Sequence, residues 1–310
     1  MNILFAATPE IALETLEVIY HSKHELLGVV CSEEKRSGRG LKIKKSPIRN
    51  FAEEKKVKIF SYEDIKDPSF MSVLGKLNID LLLVFAFGHI ISESLINLPK
   101  YGSVNIHTSL LPKYRGAAPI QRCLINCENE TGISFMKMDA GLDTGPVIET
   151  FKIEIKEGMN TEDLEKIMSY ISSINILQTI DCIELNNLNL IEQNENDASY
   201  ASKINKQEAL IDWSKPAIEI IGKINGLCPN PCAYSKYQNE RIIFYRAVPS
   251  PIESQGAGKI ISSEKNELLI GGIDKCVSIK ELARESKKRM TYKNFFNGSK
   301  NFFLKNEIFE

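Results

Sequence analysis

No apolar run in this sequence approaches the length needed to cross a bilayer, since even Leu81 to Phe87 is broken at once by Gly88 and His89. A helical membrane span and a membrane partner are therefore not expected. Targeting segments are missing too. Met1 to Ala7 (MNILFAA) has no basic start, long apolar stretch, small-residue cleavage site or Arg-rich presequence, so export and organelle import are not expected and a cytoplasmic location is. Net charge is nearly absent, with 39 Lys and Arg against 40 Asp and Glu for a formal −1. That excludes a globally basic protein, and any nucleic-acid contact has to come from a local patch. A disulfide framework is excluded as well, because the seven cysteines are odd in number and scattered, as reduced thiols are. The close pairs Cys123/Cys127 and Cys228/Cys232 have no His or further Cys at ligand spacing, so no metal is assigned. Internal repeats and low-complexity tracts are not found.

What is present reads as a two-domain globular chain. The 310 residues exceed what one core usually holds, and 43% hydrophobic with 25% charged residues excludes disorder and fibrous architectures. The first half alternates short apolar strands with amphipathic helices. Strands are expected at Asn2 to Ala7, Leu26 to Cys31, Lys58 to Phe60, Leu81 to Phe85, Val104 to His107 and Ile133 to Met138. The fold class is thus α/β, a doubly wound, mostly parallel sheet. Leu81 to Phe85 is apolar without alternation, as a central strand should be, whereas Ile133 to Met138 alternates and suits a place nearer an edge. A helix is predicted from Thr161, with Glu162 and Asp163 in its first turn. Asn186 to Asp197 is rich in Asn, Glu and Gln and has little to bury, which marks an exposed connection. Short β-rich segments follow from Ala233 to Ile279, predicting a small C-terminal β-barrel. The domains are accordingly 1–188, a linker over 189–206, and 207–310.

Polar groups cluster between Gly102 and Gly145, at predicted strand ends. Asn105 and His107 lie two apart on one strand, so both side chains leave the same sheet face. Asp143 lies in Gly-Leu-Asp-Thr-Gly, where Gly141 and Gly145 are expected to permit the turns that aim a carboxylate back at a neighbouring strand. An Asn, a His and an Asp converging in this way suit acyl transfer between nitrogens. The amide hydrogens of Asn105 or a protonated His107 can donate to a developing oxyanion, and an imidazole polarised by Asp143 can move the proton. Taken singly, each residue is more often a cap or a turn; together they form a site. His21 and His24, flanking a charged turn, are expected to be solvated, and His89 to line a pocket at most.

The string Asn105, His107, Ser109-Leu110-Leu111-Pro112 and Gly116, followed by Gly141 to Gly145, resembles the signature of the folate-dependent formyltransferases. The resemblance implies that Asn105, His107 and Asp143 are the catalytic trio, and that 10-formyltetrahydrofolate is the formyl donor. It implies that Ser109, Leu110, Leu111 and Pro112, with Phe87, Gly88 and Ile90, surround the folate. It extends over nearly the whole chain and is closer to the branch of the family that acts on an aminoacyl-tRNA. In that branch the partner is initiator methionyl-tRNA, the second domain is an OB-like barrel, and a monomer is expected. The basic loop Lys35 to Arg49 resembles the segment that grips the tRNA acceptor end, with Arg39 at its key arginine and Lys42, Lys44 and Lys45 beside it. Lys287, Lys288 and Arg289 match the basic surface of the appended barrel, while Trp213 reads as a packing anchor at the domain junction. Two departures stand out: Ala7 where the family usually has Gly, and Asn230 between two prolines where it commonly has Trp.

Three other readings compete. A nicotinamide-dependent oxidoreductase shares the fold class, yet Ala6-Ala7-Thr8-Pro9-Glu10 replaces a Gly-x-Gly-x-x-Gly turn. Gly256-Ala257-Gly258-Lys259 likewise lacks the context of a triphosphate loop. A non-catalytic RNA-binding protein leaves Asn105, His107 and Asp143 without a purpose. A formyltransferase acting on an amino sugar or another small amine, or a formyl-folate hydrolase acting on water, uses the same chemistry and stays open.

Overall fold

The computed structural model describes residues 1–32, 35–37, 42–67 and 70–310, with the backbone alone at 35–37, 42–44, 62 and 66. The chain forms two compact units that interleave along the sequence. One comprises Met1–Ala117, Gly132–Lys152 and Lys166–Tyr200; the other comprises Ala118–Thr131, Ile153–Glu165 and Ala201–Glu310. Composition places a single cut in the polar stretch after residue 188, whereas the backbone returns to each unit more than once. Within the second unit, for example, Thr161 Oγ1 donates to Gly226 O at 2.8 Å and Arg246 donates to Asp163 Oδ2 at 2.6 Å. The start of the long helix Thr161–Glu184 is thereby claimed by residues some 65 to 85 positions later.

β1 (Asn2–Ala7), β2 (Glu25–Cys31), β3 (Ile59–Ser61), β4 (Leu81–Phe85), β5 (Ser103–His107), β6 (Glu130–Lys137) and β7 (Val147–Glu154) build one sheet, which belongs to the first unit except for the first two residues of β6 and the last two of β7. Its order is β7-β6-β5-β4-β1-β2-β3. The pairs β1/β2, β2/β3, β1/β4 and β4/β5 are parallel, and β6 runs antiparallel to β5. β4 is buried at all five positions, which is why it reads as an unbroken apolar run. Ligands of such sheets sit beyond the carboxyl ends of the strands, where β5 delivers Asn105 and His107. His24 differs from its expectation. It is 6% exposed and its Nε2 lies 3.5 Å from Asp181 Oδ1, and burial lowers its pKa from the ordinary value of 6.5. No helix among the described residues is long and apolar enough to cross a membrane.

In the second unit, β8 (Ala233–Tyr237), β9 (Glu240–Glu253), β10 (Ile260–Glu264), β11 (Glu267–Gly271), β12 (Lys275–Arg284) and β13 (Met290–Thr291) form an antiparallel sheet. The path runs β8-β9-β12-β11-β10, with β13 on β12; its two end strands do not pair with each other directly, but the C-terminal residues bridge them, Glu310 exchanging backbone bonds with Lys236 of β8 at 2.9 and 3.2 Å and Ile260 of β10 bonding Glu307 O and Asn306 N at 2.8 Å. The strands alone leave the expected barrel open, because alternation specifies two faces but not closure, and the gap is spanned by the C-terminal segment rather than by a strand-to-strand pair. The helix Ala217–Gly226 packs Ile220, Ile221 and Ile224 into the core of this unit with Phe244, Val277 and Ile279. Trp213 anchors the same core rather than a domain junction: it is 5% exposed, and its Nε1 donates to Ser235 Oγ at 2.9 Å.

Asn225, on that helix, serves the backbone of β9 as another strand would. Its Nδ2 donates to Ala247 O at 3.0 Å and its Oδ1 accepts from Ala247 N at 2.9 Å. Asn225→Ala leaves both buried backbone groups without a partner and is expected to lower unfolding free energy by about 2 kcal/mol. A denaturant midpoint unchanged from wild type, at equal m-value, contradicts this.

Candidate active site

The site is built where β5 ends and the loop between β6 and β7 returns. Asn105 Nδ2 donates to Asp143 Oδ1 at 3.2 Å, and the backbone N–H of Gly116 donates to Asp143 Oδ2 at 2.8 Å. His107 Nδ1 lies 3.6 Å from the same Oδ2, with the two side chains 6% and 14% exposed. The spacing of Asn105 and His107 along β5 and the return of a distant loop thus bring the three groups together, as the sequence pattern requires. The 3.6 Å separation is longer than a hydrogen bond, as is common before a substrate draws such groups together.

The other imidazole nitrogen is committed. His107 Nε2 lies 2.9 Å from Tyr114 O, and a carbonyl oxygen only accepts, so Nε2 carries a proton and Nδ1 is the nitrogen turned to Asp143. Tyr114 presents this carbonyl from a left-handed backbone, at φ 60°. Asp143 is itself left-handed, at φ 55°, a conformation that Asp tolerates better than most residues.

The loop glycines act differently from their expected role. Neither Gly141 nor Gly145 has a positive φ; both are needed because a Cβ has nowhere to go. At Gly141 it would meet Thr144 Oγ1 at 1.9 Å, and at Gly145 it would meet Lys137 O at 1.9 Å. Asp139 closes the loop from within, accepting from Gly141 N at 2.9 Å and from Thr144 Oγ1 at 2.7 Å.

Ser109 to Pro112 wraps around Ser134 of β6. Ser134 Oγ donates to Ser109 O at 2.7 Å and accepts from Leu111 N at 3.0 Å, and the Leu111–Pro112 bond is cis. The Ser109 hydroxyl donates to Lys113 O at 2.6 Å, so it shapes the turn. Leu111 clusters with Met136 and Val147, which leaves half-buried Leu110 as the more open apolar side chain. Phe87 is 3% exposed and belongs to the core beneath the sheet end, whereas Ile90 is 88% exposed; between them Gly88 takes φ 76°. His89 hydrogen-bonds Ser32 Oγ at 2.8 Å, and Ser32 Oγ in turn contacts Thr8 Oγ1 at 3.1 Å, which ties this segment to the ends of β1 and β2.

Among the basic residues, Arg39 lies outside the described residues. Lys42 and Lys44 are described by backbone only, in a short strand, Lys42–Lys44, paired antiparallel with Lys35–Ser37. Lys45 Nζ donates to Glu53 Oε2 at 2.7 Å. In the second unit Lys287 and Lys288 are exposed, while Arg289 is taken up by Glu162 and Glu281, each at 2.5 Å, and lies over the Tyr245 ring. No cluster of three or more His, Cys, Asp or Glu suited to a metal ion occurs among the described residues.

Several groups around the trio were not visible in the sequence. Gln193, inside the polar connection, donates from Nε2 to Asp143 O at 2.9 Å and to Gly145 O at 2.7 Å. Its Oε1 accepts from Arg115 Nε at 3.0 Å. The Arg115 side chain is fully buried and forks onto Glu195 at 2.8 and 3.0 Å. This pairing holds the Glu195 carboxyl below its usual range and raises the guanidinium's pKa. The one hint in the sequence was a lone Arg between an aromatic residue and a glycine, which no periodicity interprets.

The family profile described as formyl transferase matches residues 1–180, and that described as formyl transferase, C-terminal domain, matches residues 203–300. The chain is 39% identical over 300 residues to the methionyl-tRNA formyltransferase of Pelagibacter ubique, covering 96% of each chain. It is 35% identical over 300 residues to that of Alkaliphilus oremlandii, covering 96% of this chain and 97% of that protein. Among solved structures, a sugar 3N-formyl transferase, WlaRD, crystallised with dTDP and 5-N-formyl-THF, superposes with a TM-score of 0.69 at 22% identity, covering 93% of this chain and 99% of that one. At that identity the likeness is one of fold.

Proposed function

The chain belongs to the formyl transferase family, and we propose that it is the enzyme that transfers the formyl group of 10-formyltetrahydrofolate to the α-amino group of initiator methionyl-tRNA. The observation that carries the chemistry is a single carboxylate, Asp143, bonded by the Asn105 amide and the Gly116 N–H with the His107 imidazole 3.6 Å away. Identity at 35–39% over almost the whole length to enzymes that formylate methionyl-tRNA supports this acceptor over an amino sugar.

The amine nitrogen attacks the formyl carbon, a tetrahedral intermediate with an anionic oxygen forms, and the folate nitrogen leaves. Asn105 has two amide hydrogens, and Asp143 takes one of them; the second donates to the oxyanion. The amine must lose a proton and the folate N10 must gain one. Asp143 and His107 Nδ1 carry that proton between them, while Tyr114 O holds the ring in place through Nε2. The part of 1–188 that lies in the first unit is the formyl-folate domain. Leu110 and exposed Ile90 offer apolar surface to the folate rings, and Phe87, Gly88, Ser109, Leu111 and Pro112 shape that wall from behind. The sheet of 207–310 is the tRNA-binding domain, with 189–206 connecting the two.

In that domain Lys287 and Lys288 carry the phosphate contacts, because Arg289 is already neutralised by two carboxylates. Arg39, Lys42, Lys44 and Lys45 form the other basic contact, toward the acceptor end. Replacing both Lys287 and Lys288 with alanine is expected to raise the KM for tRNA about threefold to tenfold. The same change should flatten the log–log salt dependence by roughly 1.5 and leave the KM for folate alone. An unaltered salt slope removes these lysines from the interface. The whole reading is tested by incubating the protein with 10-formyltetrahydrofolate and either charged initiator tRNA or a panel of amino sugars. Formylated methionyl-tRNA is the expected product, and formylated sugar with unreacted tRNA overturns the assignment.

A further inference from the structure

The stretch that composition marks as a passive connection is tied to the catalytic groups at several points. Gln193 uses both amide hydrogens on the Asp143 loop, at Asp143 O and Gly145 O, and its carbonyl on Arg115. Arg115 in turn places Nη1 and Nη2 on the two Glu195 oxygens, a forked geometry that only guanidinium supplies. A few residues on, Ser199 accepts from Tyr114 N at 2.9 Å through its hydroxyl and from Arg115 N at 2.8 Å through its carbonyl. Tyr114 O is the acceptor that orients His107. Both halves of the His–Asp pair are therefore fastened to one segment.

We propose that residues 193–199 are a positioning clamp for the formyl transfer site. In it Gln193 sets the Asp143 carboxylate against His107 and Asn105, and Arg115 with Glu195 holds the Gln193 amide in register. The inference rests on the function proposed above for the trio. Gln193 is a positioning residue, since its side-chain hydrogen bonds go to the backbone carbonyls of the loop and to the Arg115 side chain. The loop needs such help because Asp143 is left-handed and its neighbours Gly141 and Gly145 offer no side chain to pack. Without the amide, the carbonyls of Asp143 and Gly145 lose their shared donor, and the carboxylate rides on the segment that relaxes.

The test compares Gln193→Ala, Gln193→Glu and Glu195→Gln with wild type in the full chain. Gln193→Glu keeps an oxygen for Arg115 but turns an acceptor toward the two carbonyls. Glu195→Gln keeps an oxygen for Arg115 but removes the charge and half of the fork, and thermal unfolding of this variant is followed alongside. The readouts are kcat, the KM for 10-formyltetrahydrofolate, and the ring resonances of the four histidines. Expected are a kcat about tenfold lower in both Gln193 variants, a folate KM within about twofold of wild type, and displaced signals for His107 alone. Glu195→Gln moves the same signals less. A fall in kcat with His107 unmoved points to a merely structural role and overturns the clamp, as does a displaced His107 with unchanged kcat. The resonances need no turnover, so a wild-type protein inactive on methionyl-tRNA refutes the proposed function while the clamp is still judged.

Discussion

Asp143→Ala is expected to lower kcat by roughly 10³-fold with no comparable loss of stability. The carboxylate is the one group touched by all the others: it orients the Asn105 amide, receives the Gly116 N–H and faces His107 Nδ1. Removing it releases the oxyanion donor, takes the counter-charge from the imidazole and deletes a proton acceptor in one step. Alanine at φ 55° also introduces backbone strain, so Asp143→Asn is the cleaner comparison, because Asn tolerates that conformation. Asn keeps one acceptor but turns an N–H toward a group placed to receive a carboxylate. Single-turnover formyl transfer with both variants decides the matter, with thermal unfolding as the control for folding. Activity of Asp143→Asn within tenfold of wild type refutes the assignment of Asp143 to proton transfer.

Gly145→Ala should be the most harmful of the small changes around the site. The added Cβ falls 1.9 Å from Lys137 O and 3.0 Å from Lys137 C, both backbone atoms of β6. A sheet strand cannot retreat, so the loop carrying Asp143 has to swing outward. Overpacking of this kind costs roughly 1–3 kcal/mol of stability. Displacing a reacting group by about 1 Å costs on the order of 10² in kcat. Gly141→Ala provides the contrast. Its clash is with Thr144 Oγ1, a side-chain atom that can rotate away at the expense of one 2.7 Å bond to Asp139. A milder loss at Gly141 than at Gly145 is expected in both kcat and unfolding midpoint. Equal effects, or an innocuous Gly145→Ala, contradict the claim that this glycine is required by a backbone contact.

Much of the first unit was legible because its signals are local. An unbroken apolar run marked β4 as central, alternation marked the strand of Ile133 to Met138 as lying farther out, and two-residue spacing put Asn105 and His107 on one face. The convergence of Asp143 was legible too, since a short polar loop between glycines at a strand end has few places to point. The same local logic failed where partners are distant. His24, polar and beside a charged turn, is buried against Asp181, and Trp213 packs inside one unit rather than at a junction.

By itself, then, the sequence determined six of the seven strands of the first sheet, the three polar groups that converge beyond β5 and the family. Each of these depends on chemistry within a strand, a turn or a short motif. Only the tertiary structure decided which imidazole nitrogen faces Asp143, why Gly141 and Gly145 must lack a side chain, and that Gln193, Arg115 and Glu195 fasten the loop. It also decided that the C-terminal residues bridge the end strands of the second sheet and that the units interleave along the chain. The reason is physical. Periodicity records which face of an element is apolar, but a hydrogen bond between residues 50 to 85 positions apart, such as Gln193 to Asp143 or Arg246 to Asp163, leaves no periodic trace. It exists only once the chain has folded and both partners have left water together.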